Sequence, residues 1–465
     1  VSDWRAQAPA PGELRPFRFP DVWRDRLANG MAVMGARHGA MPLVTLALVV
    51  RGGGAAEPAA GAGVAALTAS LLSSGTRQRD ADELARAVES LGISIDARAG
   101  WDACFVRMTV PRERLDAATR LFAEVVREPA FPEHEVERLR GQQLASLLQR
   151  RKQPGTLAGD AAARHIFSRA TPWARPLIGT PATVEALTRR QVLDFYDARF
   201  RADAATLIVA GDASREEARR LAERCFGDWQ GGAKAAPEAV AESALQGASV
   251  FVVDRPGSVQ SEIRIGHIGV QRDTPDYFPL LVMNTILGGS FTSRLNMNLR
   301  ERHGFTYGVR SGFSMRRRPG PFLVQTAVAN DVTGRAVEEV LNEIRRLRDG
   351  GPTERELDAA RDYVGGILPL QLQTTDQLAA RLDDLVVYDL PDDWFQHYRD
   401  RIAAVDADDV SRVARRYLDP DRIAVIVAGA ADEVVPQLES LGIGPVVRES
   451  AAETASADVP PTTAP

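Results

Sequence analysis

The run Leu287-Gly288-Gly289-Ser290-Phe291-Thr292-Ser293-Arg294-Leu295-Asn296-Met297-Asn298-Leu299-Arg300-Glu301-Arg302-His303-Gly304-Phe305-Thr306-Tyr307 holds two side chains able to work as a pair. Arg300 carries a planar, permanently charged fork, and Tyr307 carries a phenolic donor. Gly288-Gly289 predicts a turn and Ser290 a helix N-cap. Phe291, Leu295 and Leu299 form an i, i+4, i+8 apolar stripe, and Gly304 is placed to end the helix. Tyr307 then falls on a strand. An arginine at the helix end and a tyrosine on the next strand could project into one space.

Metal chemistry has weaker material. The histidines are His38, His134, His165, His267, His303 and His397. His134-Glu135-Val136-Glu137 begins like H-E-x-x-H, but Arg138 occupies the position of the second histidine. A helix start after Pro132, with an acidic first turn, accounts for His134. Arg316-Arg317-Arg318 precedes Pro319-Gly320 and predicts a solvated hairpin tip. Cys104 and Cys225 could pair only if the fold joins them, and they read as two buried thiols.

The elements that must position these residues occur twice. Leu193 to Phe200 followed by Ala205 to Asp212 is an amphipathic helix, a polar turn and an apolar strand ending near glycine. Ser411 to Tyr417 followed by Arg422 to Gly429 repeats it. Glu83 to Ser90 with Leu91 to Asp96 pairs with Leu299 to His303 and Gly304 to Val309. The Arg-rich and Leu-rich helices Arg114–Arg127 and Gly334–Arg348 follow the strands of each unit. Strands in consecutive runs favour two α+β lobes in tandem, each an antiparallel-rich sheet with helices packed on one side. The boundaries predicted are a first lobe over 14–230, a flexible linker over 231–247, a second lobe over 248–446 and a disordered tail over 449–465.

The 465 residues are 45% hydrophobic and 26% charged, with a net charge of −5. That suits a multidomain globular chain and argues against nucleic-acid binding, which requires a basic face. The sequence has no apolar run of 18 residues, so no membrane-spanning helix is expected. Val1 reads as a trimmed or processed start. A processed start implies the bacterial periplasm, and otherwise the cytoplasm is expected.

Gly63-Val64-Ala65-Ala66-Leu67-Thr68-Ala69-Ser70-Leu71-Leu72-Ser73-Ser74-Gly75-Thr76 resembles the helix that carries the inverted zinc motif H-x-x-E-H in the insulinase/pitrilysin metallopeptidases. Ala66 and Ser70 stand at the two histidine positions and Ala69 at the glutamate position. Alanine has no donor atom, and one serine hydroxyl is a poor zinc ligand. That family takes its third ligand, a glutamate, from a later helix. The matching stretch, about 138–148, contains Gln142 and Gln143 but no acid. The resemblance therefore implies no metal site and no cofactor in this chain.

Arg300 and Tyr307 match the arginine and tyrosine, separated by six residues, that complete the family's active site opposite the zinc. By this resemblance Tyr307 donates to the oxyanion and Arg300 grips substrate, so both are catalytic and substrate-binding residues. The chain resembles the bacterial subunit that lacks H-x-x-E-H and keeps the Arg/Tyr pair. The resemblance implies a heterodimer with a homologous zinc-bearing subunit and a peptide or unfolded polypeptide as substrate. The alternative is a catalytically inactive structural or peptide-binding member of the same family.

Overall fold

The computed structural model describes Gly12 and residues 16–39, 41–234 and 239–450. The first lobe contains strands β1 (Val22–Arg26), β2 (Ala32–Arg37), β3 (Leu43–Arg51), β4 (Asp96–Ala99), β5 (Ala103–Pro111) and β6 (Ala205–Gly211). Its helices are α1 (Val64–Leu71), α2 (Ala81–Ser90), α3 (Leu115–Arg127), α4 (Glu133–Arg150), α5 (Pro154–Ile166), α6 (Pro181–Glu185), α7 (Arg189–Arg199) and α8 (Arg215–Phe226).

The second lobe contains β7 (Ser249–Asp254), β8 (Gln260–Ile268), β9 (Val309–Phe313), β10 (Pro321–Ala329), β11 (Ala424–Gly429) and β12 (Val446–Ser450). Its helices are α9 (Tyr277–Asn284), α10 (Thr333–Gly350), α11 (Glu354–Ile367), α12 (Thr375–Val387), α13 (Tyr398–Ala403), α14 (Ala407–Tyr417) and α15 (Ala431–Glu439).

The two sheets are laid out alike. Their strand orders are β1-β2-β6-β3-β5-β4 and β12-β7-β11-β8-β10-β9. Five strands correspond by position and direction, and only the outermost differs. β1 pairs antiparallel with β2, whereas β12 pairs parallel with β7. This is the α+β tandem that the paired sequence units predict.

Each sheet buries one face under its own helices and the other under a helix from the opposite half. α12 lies on β3 and β6, and α5 lies on β8 and β11. Leu378, Leu382 and Leu385 of α12 pack with Phe19, Met34, Val49 and Ile208 of the first lobe. Reciprocally, Ala158, Ala161 and Ile166 of α5 pack with Val253, Ile426 and Ala428 of the second. The exchange explains why β6 and β11 are buried along their whole length, and why they read as continuous apolar runs rather than alternating ones. Thr45 Oγ1 and Thr375 Oγ1, 2.8 Å apart, share a buried hydrogen bond across the halves.

Several sequence expectations need correction. The Arg316 to Arg318 turn is not a solvated tip, because the β9–β10 hairpin docks on the first lobe. The Arg317 N–H donates to Asp102 at 3.1 Å, and its side chain donates to the Val387 carbonyl and pairs with Asp389. Part of the linker is also docked. Leu245 is buried, and Ser243 bridges Phe167 at the end of α5. β12 runs through Ser450, into the segment expected as tail, where Glu449 pairs with Arg164 and His165. Residues 451–465 of that tail lie outside the described residues. Cys104 and Cys225 are both free and buried.

Candidate functional site

The Arg300 segment is built on two wide helical turns. α9 continues as a π-helical turn over Thr285–Gly289, and a second π-helical stretch covers Asn296–Arg302. Such turns shift side chains off the ordinary helical register and recur at functional sites. Ser290 is extended and does not cap the helix. The first helical bond runs from the Met297 N–H to the Ser293 carbonyl at 2.9 Å. Leu295 and Leu299 are fully buried as the stripe predicts, but Phe291 lies before the helix and is 66% exposed. Gly304 takes a left-handed φ of 65° and its N–H donates to the Arg300 carbonyl at 3.1 Å, ending the helix as expected.

Anchors at three points hold this segment. Arg294 makes a two-pronged bond to Glu356, at 2.6 and 2.8 Å. Burial would raise the Glu356 carboxyl, but the Arg294 and Thr353 bonds outweigh it and hold it at about 2. Asn298 donates to Glu339 and Glu343 of α10, both at 2.7 Å. Buried Asn296 donates to the Val309 carbonyl at 2.8 Å and accepts from the Val309 N–H at 3.2 Å. It thereby fixes the start of β9 against the helix. These anchors escaped the sequence reading, and the alternation of Asn with apolar residues over 295–299 was their only signal.

Tyr307 does not lie on a strand; it sits in the turn before β9. Its neighbours are pinned, since Thr306 Oγ1 and Thr326 Oγ1 both donate to the Gly308 carbonyl, at 3.0 and 3.1 Å. The Tyr307 side chain itself is 97% exposed. It lines a cavity of about 440 Å³ with Gly289, Phe291, Asn296, Arg310 and Tyr363. Arg300 does not line this cavity. Its guanidinium stacks on Phe291, which does, and its Nη1 is buried with no hydrogen-bond partner among the described residues. Its nearest carboxylate is Glu301, at 3.6 Å. The cavity therefore offers an exposed phenol, with a guanidinium stacked on its Phe291 rim beside it.

The segment compared with the zinc-motif helix is α1, in the first lobe. α1 starts at Gly63, whose φ is 95°, and the Glu57 carboxylate accepts from the Gly63 N–H at 3.0 Å and the Ala65 N–H at 2.7 Å. Burial pushes the Glu57 carboxyl up to about 7, against the pull of those two N–H groups and Arg175. Ala66 is half-buried, Ala69 buried and Ser70 exposed. α4 packs on α1, and Gln143 Nε2 donates to the carbonyls of Gly63 and Ile178 at 3.1 and 2.9 Å.

These residues do not fit zinc. Two of the three motif positions carry no donor, and Glu57 is committed to the helix start. Among the described residues, no group of three or more His, Cys, Asp and Glu is clustered to hold a metal ion. The histidines are scattered. His165 stacks on Phe251, His267 bonds its own strand and His397 pairs with Asp393.

Residues 36–180 match the family described as Insulinase (Peptidase family M16), and residues 186–364 match the Peptidase M16 inactive domain. The chain is 26% identical to an uncharacterized zinc protease of Mycobacterium leprae, over 80% of this chain and 83% of that protein. It is 25% identical to the non-peptidase homolog YmxG of Helicobacter pylori, over 81% and 83%. A crystal structure of a peptidase M16 inactive domain from Pseudomonas fluorescens superposes with a TM-score of 0.82 and 26% identity, covering 88% of this chain and 98% of that one. With matches to both of its domains in order along two corresponding lobes, the chain belongs to peptidase family M16.

Proposed function

We propose that this chain is the non-zinc subunit of a two-chain M16 metallopeptidase. A homologous partner supplies the metal and general base, and this chain supplies Tyr307 and Arg300. The Tyr307 phenol donates to the oxyanion of the tetrahedral intermediate. The Arg300 fork holds a substrate carbonyl or carboxylate. The observation that carries this reading is Tyr307 itself, a tyrosine on a pinned backbone that exposes nearly all of its side chain at a cavity mouth. A tyrosine kept for packing would bury its ring. Donors held rigid before the reaction contribute most where charge develops.

The test is reconstitution with a zinc-bearing homologue. Tyr307→Phe removes one donor and little volume, so kcat falls about 10²–10³-fold with a much smaller change in KM. Retention of near wild-type kcat would overturn the reading. A second reading, an inactive structural or peptide-binding member, is favoured by the loss of ligands at Ala66, Ala69 and Ser70. It would take over on that outcome.

A further inference from the structure

Phe291, Tyr307 and Tyr363 are the exposed aromatic side chains among the described residues. They come from three places: the segment before the Arg300 helix, the turn before β9, and α11. All three line the same cavity of about 440 Å³. Single exposed apolar residues are ordinary, but three rings gathered at one concavity of ligand size mark a binding surface. Arg310 is the one charged residue in the lining, so no carboxylate there meets a basic group.

The cavity lies beside β9, the outermost strand of the second sheet. An open strand edge commonly takes a peptide by backbone pairing. This edge is closed instead. Asn296 holds both the N–H and the carbonyl of Val309, at 3.2 and 2.8 Å. Asn284 Nδ2 donates to the Ser311 carbonyl at 3.1 Å, and Ser311 Oγ donates back to Asn284 Oδ1 at 2.8 Å. A peptide strand would have to displace these bonds and strand the amide of buried Asn296. What the cavity still offers is ring surface.

We propose that this cavity takes one apolar side chain of a peptide, best an aromatic one, and leaves the peptide backbone unpaired, with Phe291 and Tyr363 setting the preference. Calling that peptide a substrate rests on the subunit reading. The binding itself needs neither zinc nor a partner chain.

The test is isothermal titration of the full chain alone with a capped seven-residue glycine-serine peptide that carries one central phenylalanine. Versions with alanine, lysine or glutamate at the centre accompany it, with a phenylalanine version N-methylated at the two central amides. The phenylalanine peptide saturates at a ratio of one, with Kd below about 1 mM. The alanine, lysine and glutamate peptides bind at least about tenfold more weakly. N-methylation, which removes the donors that strand pairing requires, changes Kd less than about threefold. Tyr363 is exposed, so Tyr363→Ala leaves the fold intact; it weakens the phenylalanine peptide about tenfold and the alanine peptide much less. Absence of saturable binding would overturn the proposal. A glutamate peptide that binds as tightly would assign recognition to Arg310 and overturn it too, as would loss of binding on N-methylation or indifference to Tyr363→Ala. Failure of the subunit reading shows elsewhere, in the kcat of Tyr307→Phe in the reconstituted complex, and leaves these titrations as they stand.

Discussion

The guanidinium carbon of Arg300 lies 4.2 Å from the centroid of the Phe291 ring. Phe291 is exposed and stands outside the helix that carries Arg300, so the ring acts as a rest for the arginine at the cavity rim. A cation on an aromatic face at such a site gains about 0.5–2 kcal/mol. Phe291→Ala should therefore loosen Arg300 without removing its charge. In the reconstituted peptidase we expect KM to rise about 2- to 30-fold with kcat changed less. A KM equal to wild type would show that the stack does not position Arg300 for substrate.

Purified alone, the chain should carry no stoichiometric zinc and cleave no peptide, because Ala66 and Ala69 offer no ligand atom. Elemental analysis and a peptide-cleavage assay measure this directly. With a zinc-bearing M16 homologue present, it should elute as a heterodimer in size-exclusion chromatography at micromolar concentration. Separate elution would contradict the two-chain reading.

Leu382→Ala, in α12, should cost about 2–5 kcal/mol, as expected for a cavity opened in a close-packed core. The damage should appear in the first lobe, although Leu382 belongs to the second half of the sequence. Leu382 is fully buried in the cluster with Met34, Val49 and Ile208. Hydrogen exchange should show protection lost in β3 and β6 before β8 and β10. The reverse order would mean that the exchanged helix contributes little to the first sheet.

Glu57 should make stability depend on pH. Its pKa is raised by burial from 4.5 to about 7. The folded chain holds this proton more tightly than the unfolded one. The stabilisation is therefore fully present below about pH 4.5 and is lost as the pH rises through about 7. Glu57→Gln mimics the protonated form and keeps a carbonyl acceptor for the start of α1. The variant and wild type should unfold at similar denaturant concentration at pH 4.5. At pH 8 the variant should be the more stable, by about 3 kcal/mol at most. A difference between the two that does not vary with pH would place the Glu57 carboxyl outside this titration window.

Much of the fold was legible because both halves repeat the same local patterns. The helix-turn-strand units at 193–211 and 411–429 became α7 with β6 and α14 with β11. Periodicity reports what one segment buries, however, and not which sheet covers it. The crossing of α5 and α12 to opposite lobes was therefore invisible, and with it the docking of Arg316 and Arg317. At the candidate site, Gly304 was readable because a left-handed residue ends a helix. The π-helical turns were not, since they arise from packing and the Asn296–Val309 bonds rather than from residue spacing. The sequence puts Tyr307 on a strand because 304–309 repeats the glycine stop and alternating strand of 91–96 in the first unit. The Thr306 and Thr326 bonds to Gly308 hold it instead in the turn before β9.

The reciprocal crossing of α5 and α12 also bears on how the chain responds to a protease. A single nick within 231–247 would separate the halves covalently and still leave each one threaded against the other's sheet by a buried helix. The two fragments would travel as one particle under native conditions and part only in denaturant. Neither fragment made alone could shield both faces of its sheet. Swinging the lobes apart would strip both helices at once, so the chain moves as a single block.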